Sequence, residues 1–233
     1  RQKVDFYHSL PVKRSRMFWN RVYTGLLYYL VPYMIMEFFA VCIGAAKGFF
    51  SLKLMELAAR LLLVHLLLYF LFYFSIVLVF CVTGNFLMGV LCLAGMQLYG
   101  PALGILMSFC AYGFFDTFSS NYPYGIFKAL EDYASPITLT AAFWQKYEAG
   151  QGAALAAVLF VLTLIFTAVS YFAYIHRPSE AAGKPMVYGK LAAVIKFMVV
   201  VPCGMGTGFV FYLIPTSHAR NIWCVFGMIL GTV

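Results

Sequence analysis

Acidic side chains are scarce in this chain: eight Asp and Glu stand among 233 residues, beside sixteen Lys and Arg. Charge of either sign makes up only 10% of the sequence and hydrophobic residues 64%, against about 25% and 45–50% in a soluble domain. A soluble fold of this length could not hide so much apolar surface. Enzyme signatures are missing too. The sequence contains no GxSxG nucleophile elbow, no HExxH, no GxGxxG and no GxxxxGK[ST] phosphate loop. No catalytic residue is therefore assigned, and no ATPase activity is expected of this chain. It has no CxxC pair either. Cys42, Cys81, Cys92, Cys110, Cys203 and Cys224 lie in apolar runs without a His at ligand spacing, and read as small core residues rather than a metal site or disulfide framework. No metal and no cofactor is expected.

What is there instead is a series of apolar runs of about 20 residues or more, long enough to cross a bilayer. The expected fold is all-α, a single polytopic transmembrane helix bundle over 1–233 with five full spans and the start of a sixth. The spans are expected at 22–44, 58–82, 86–115, 153–175 and 191–213, with the last beginning near Asn221. The third is long for one crossing, and Pro101 should kink it. Split in two, its halves would be too short, so it is kept whole. The chain begins with Arg and stops inside "NIWCVFGMILGTV", so it reads as a piece of a longer protein.

The excess of Lys and Arg belongs to loop sidedness rather than to nucleic-acid binding. The block at 1–21 carries six cations, and the loop at 176–190 carries Arg177, Lys184 and Lys190. Both are expected in the cytoplasm. The loop at 116–152 holds Lys128 and Lys146 beside Asp116, Glu131, Asp132 and Glu148, and is expected outside. Lys47 and Lys53, also placed outside, count against the pattern. In "YGIFKALEDYASP" the residues Ile126, Phe127, Leu130 and Tyr133 share a helical face. This is either a short helix on the outer membrane surface, stopped by Pro136, or a solvated loop with one helical turn. "GMGTG", Gly204 to Gly208, reads as small residues that let helices pack closely. Trp19, Trp144 and Trp223 fall close to span ends, as interfacial aromatics do.

Ionisable side chains inside spans are informative because lipid solvates them poorly. Arg60 and Lys196 lie near span ends and can snorkel. Glu37 and His65 lie deeper, on consecutive antiparallel spans. Either they pair and line a polar site on a transport path, or they form a structural pair. A third reading is that both face headgroups because the spans are displaced by a turn.

The stretch "DFYHSLPVKRSRMFWNRVYTGLL", Asp5 to Leu27, resembles a cytoplasmic segment of the ABC type-2 transporter family, the permeases of many bacterial export systems. "VTGN" at 82–85 and "HRPSEAAGKPMVYGKLAAVIKF" at 176–197 resemble the same group, particularly its Gram-positive members, and "YASPIT" is a weaker echo. The resemblance implies the membrane subunit of an exporter in the bacterial plasma membrane, lacking its first two spans. It implies a separate ATP-binding cassette ATPase as partner, which would bind the ATP, and a homodimer or heterodimer of permeases. Ser9, Leu10, Pro11, Val12, Lys13, Arg14 and Arg16 would then form the segment coupled to that ATPase. The residues fit a short stiff helix, with Ser9 as N-cap and Pro11 in its first turn. The same cations could instead serve only to hold anionic lipid headgroups, at about 1 kcal/mol each. Two other function classes compete. An ion- or proton-coupled secondary transporter would use Glu37 and His65 and should show inverted repeats, which the sequence lacks. A membrane enzyme acting on lipids would need clustered polar groups near one face, and the acidic residues here are scattered.

Overall fold

A computed structural model describes residues 13–48, 51–115, 125–178, 186–214 and 220–232. These form eight α-helices and no strand. The helices are α1 (Arg14–Ala46), α2 (Leu52–Val82), α3 (Phe86–Phe114), α4 (Gly125–Tyr133), α5 (Pro136–Glu148), α6 (Ala153–Ile175), α7 (Gly189–Leu213) and α8 (Arg220–Thr232). Helices α1, α2, α3, α6 and α7 are long and apolar enough to cross a membrane. The protein is thus an all-α, polytopic membrane protein.

Two of the expected spans are longer than their apolar cores. Helix α1 starts at Arg14 rather than near Val22, so the cationic residues and the apolar span form one continuous helix. Its N-cap, Lys13, is extended and makes no side-chain cap bond. The expected cap at Ser9 and the first turn at Pro11 lie outside the described residues, as do Leu10 and Val12. Helix α2 begins at Leu52, capped by Ser51, whose hydroxyl accepts from the Leu54 amide. The connection from α1 is therefore limited to residues 47–51, and Gly48 within it has φ +79°, a value that favours glycine.

The chain divides into two compact units, one from Arg1–Asn85 with Ala153–Val187, the other from Phe86–Gly152 with Tyr188–Val233. In the first, α1, α2 and α6 pack around Phe18, Val22, Phe74 and Cys81, with Trp19, Tyr73, Tyr171 and Tyr174 closing over them. Phe18 is 2% exposed and meets Tyr171 and Tyr174 at ring separations of 5.6 and 5.3 Å. Helix α1 is antiparallel to both neighbours: Val22 faces Tyr73 on α2, while Ser15 reaches Tyr171 on α6. Helices α2 and α6 run parallel, because Ser170 faces Phe74 and Arg177 faces Phe80.

That parallel pair fixes a count. Two parallel spans ending on the same side must be joined by an odd number of crossings. Helix α3, at 29 residues, supplies one. Helices α4 and α5, at 9 and 13 residues, are about 14 and 20 Å long, too short for a core of about 30 Å. The third run, expected as one long span, is a single helix that continues through Pro101.

In the second unit, α4 and α5 pack on α3. Gly100 and Gly104 of α3 lie close against Ala134 and against Glu131 and the Phe127 carbonyl. The face of Ile126, Phe127, Leu130 and Tyr133 forms α4, and Lys146 of α5 sits 5.4 Å from the centre of the Tyr133 ring. Pro136, expected to end a helix, also starts α5, with Ser135 as N-cap accepting from the Thr138 amide. Helices α7 and α8 form an antiparallel hairpin in which Gly204 meets Thr232 and Gly208 meets Met228. Gly204 and Gly208 of "GMGTG" serve close packing there, while Gly206 between them meets nothing. The cysteines do not all lie in the core. Cys81 and Cys224 are buried, but Cys42 and Cys203 are exposed on α1 and α7. In a span, exposed helix faces meet lipid, which accepts a thiol as readily as a core does.

Candidate functional site

The last carbonyls of a helix have no partner within it, and a cation placed there is favoured by the helix dipole as well. At one end of the first unit two arginines exploit both effects. Arg177, just past the end of α6, donates from Nη1 to the Phe80 carbonyl and from Nη2 to the Thr83 carbonyl, both at 3.0 Å. Arg14, in the first turn of α1, donates from Nη1 to the carbonyls of Ile175 and Arg177, both at 3.0 Å. Three helix ends are thus tied at one level.

Backbone contacts reinforce the tie. The Val187 amide donates to the Val82 carbonyl at 2.9 Å, and Thr83 forms an isolated antiparallel bridge with Met186. The Thr83 hydroxyl donates back to the Val79 carbonyl. Ser15 and Tyr171 share a hydrogen bond at 3.1 Å between α1 and α6, directly above the Phe18 plug. The guanidiniums hold the helix ends, and the aromatic cluster beneath resists their sliding apart.

Of the residues expected to couple to a partner, Lys13, Arg14 and Arg16 are described, and all three are exposed. Arg14 turns back on its own protein, which leaves Lys13 and Arg16 as outward-facing cations of the segment. Lys184, and the Lys190 side chain, lie outside the described residues. His176 is exposed, with Nδ1 at 2.9 Å from the Phe172 carbonyl. Sequence reasoning counted Arg177 as a loop charge within the 176–197 resemblance, and not as a tie between helix ends. The signal that could have found it is an Arg two residues past a helix end and followed by Pro178, a familiar way to finish a helix.

The second candidate region is the seam between α1 and α2. Tyr29, Tyr33 and Glu37 stand one turn apart along α1, and His65, Tyr69 and Tyr73 do the same along α2. Tyr29 stacks on Tyr69 with ring centres 3.9 Å apart, and Tyr33 lies 5.7 Å from the His65 ring. The Tyr73 hydroxyl donates to the Val22 carbonyl at 3.1 Å. The register sets Tyr33 opposite His65, so Glu37 stands level with Leu61, one turn further on. His65 Nδ1 lies 2.8 Å from the Leu61 carbonyl, which favours the tautomer protonated there. Arg60, the nearby snorkelling candidate, pairs with Glu56 on its own helix. Lys196 is exposed on α7. Among the described residues, no group of three or more His, Cys, Asp or Glu is placed to hold a metal ion.

Comparison of the chain with protein-family models, with curated proteins and with solved structures finds no match.

Proposed function

We propose that this chain is the membrane-spanning subunit of an ATP-driven exporter in a bacterial plasma membrane, with ATP bound and hydrolysed by a separate ATP-binding cassette subunit. Five apolar helices support a membrane role, and the motifs at Ser9–Arg16 and His176–Phe197 support the exporter class. The observation that carries the reading is the tie at Arg14. A push on the basic segment meets a continuous helix that is already bonded to the end of α6, so the push reaches spans without passing through a linker.

In this reading the tied end faces the cytoplasm, Lys13 and Arg16 meet the ATPase, and two permease subunits enclose the path. Replacing Lys13 and Arg14 by Glu should weaken co-purification of the ATPase subunit and abolish its stimulation by the permease. Unchanged association together with unchanged stimulation would remove the coupling claim.

One observation favours a second reading, an ion- or proton-coupled secondary transporter. The Tyr33–His65 contact, with Glu37 a turn away, is a titratable seam inside two spans. Transport that continues without ATP and follows a proton gradient, lost in Glu37→Gln, would select it.

A further inference from the structure

Two arginines stand in series at the tied end of the first unit. Arg14 donates to the carbonyls of Ile175 and Arg177, and Arg177 donates to the carbonyls of Phe80 and Thr83. One residue is therefore acceptor in the first tie and donor in the second. We infer that Arg177 passes displacement of the α1 N-terminal turn into α2, acting as a positioning residue that makes α1, α6 and α2 move together. This deepens the exporter reading and rests on it for the origin of the push.

The chemistry suits that task. A guanidinium is a rigid planar fork, so its two nitrogens hold two carbonyls three residues apart in fixed relation. Its charge also faces the C-terminal ends of two parallel helices, where both dipoles favour a cation. Without such a clamp, parallel apolar helices such as α2 and α6 can slide along one another by small shears. The segment after α6 adds a second grip on the same turn, through Met186 against Thr83 and the Val187 amide on the Val82 carbonyl. Arg14 itself bonds α6 and not α2, and the other route from α1 to the last turn of α2 is the core shared by Phe18, Val22 and Cys81, which Arg177→Gln leaves in place. Two independent helix caps would behave differently, each loosening only the end it covers.

The test is amide hydrogen exchange on the full chain in phospholipid nanodiscs, without any partner. Peptides covering residues 79–83 and 172–177 are followed in Arg14→Gln, Arg177→Gln and the double variant. Arg177→Gln should speed exchange at 79–83 by about tenfold, since it removes two charge-assisted bonds from that turn. Arg14→Gln should speed the same peptide by about threefold or more, although it bonds nothing there. The double variant should match Arg177→Gln alone. The inference is overturned if Arg14→Gln alters 172–177 and leaves 79–83 unchanged, or if the two effects multiply at 79–83.

Should Arg177→Gln fail to fold, Arg177→Lys replaces it. One ammonium keeps the charge but cannot span both carbonyls, so adding Arg14→Gln should then affect 79–83 less than it does in the native chain. Equal transfer would overturn the inference. Failure of the exporter reading would appear elsewhere, as unchanged ATPase association after charge reversal, and would leave these exchange rates as they are.

Discussion

At the scale of single residues, the first unit depends on two close fits. Gly25 lets the Tyr73 ring come against α1, and a Cβ there would overlap the Tyr73 hydroxyl. Gly25→Ala should therefore destabilise the chain by about 1–3 kcal/mol, the usual range for overpacking. Adding Tyr73→Phe removes the overlapping oxygen and should recover part of the loss, which thermal unfolding in nanodiscs would show. Phe18, buried among Tyr171, Tyr174 and Phe74, is the other fit. Phe18→Ala should cost about 2–3 kcal/mol, less than the aqueous figure because lipid is itself apolar. The charges of Lys13, Arg14 and Arg16 were legible in the sequence. The acceptors of Arg14 were not, because they lie some 160 residues away and depend on how α6 ends.

At the scale of helices, the α7–α8 hairpin shows what small residues permit. Gly204, Gly208, Gly227 and Gly231 all face the partner helix, and the Thr207 hydroxyl donates to the Gly227 carbonyl at 2.8 Å. Gly206, in the middle of the same motif, faces open space. Gly208→Val should pry the hairpin apart and speed proteolysis of α8. Gly206→Ala should be neutral or stabilise by about 0.5–1 kcal/mol, since a helical glycine with room for a Cβ gains from Ala. Equal effects of the two would contradict the packing described. The motif was readable because glycines two and four apart in an apolar run have few other uses. Helix α5 was harder to read. Pro136 ends one helix pattern and, behind Ser135, opens the next, and a single sequence shows the stop more plainly than the start. Both helix extensions, at Arg14 and at Leu52, were obscured for a related reason. Hydropathy marks where a helix is apolar, while capping and packing decide where it begins.

At the scale of the whole molecule, helix direction fixes which ends share a side, and loop charge is what points that side to the cytoplasm. The parallel run of α2 and α6, joined across α3, puts the ends of α2 and α6 on the side where α1 begins. Cysteines placed at Lys13 and Pro178, in a background with the native six replaced by serine, should be equally shielded from an impermeant maleimide in intact cells. Ser51→Cys, at the opposite end of α2, should react. Labelling of Lys13→Cys and Ser51→Cys from the same side would refute the topology. The apolar helices were largely legible from hydropathy, since lipid imposes a strong compositional rule. Which polar groups meet inside the membrane was not legible. Depth in the spans set Glu37 and His65 near one another and left their pairing open, but it does not encode the ring contact between Tyr33 and His65.

The central claim is that the tied end of the first unit is gripped by a nucleotide-hydrolysing partner. Its most direct test places the photocrosslinking residue p-benzoylphenylalanine at exposed Lys13, irradiates intact cells, and identifies what is captured by mass spectrometry. An ATP-binding cassette subunit, captured at this position and not from a control position at Ser51, is the predicted result. Capture of lipid alone, or of proteins without a nucleotide-binding domain, would contradict it.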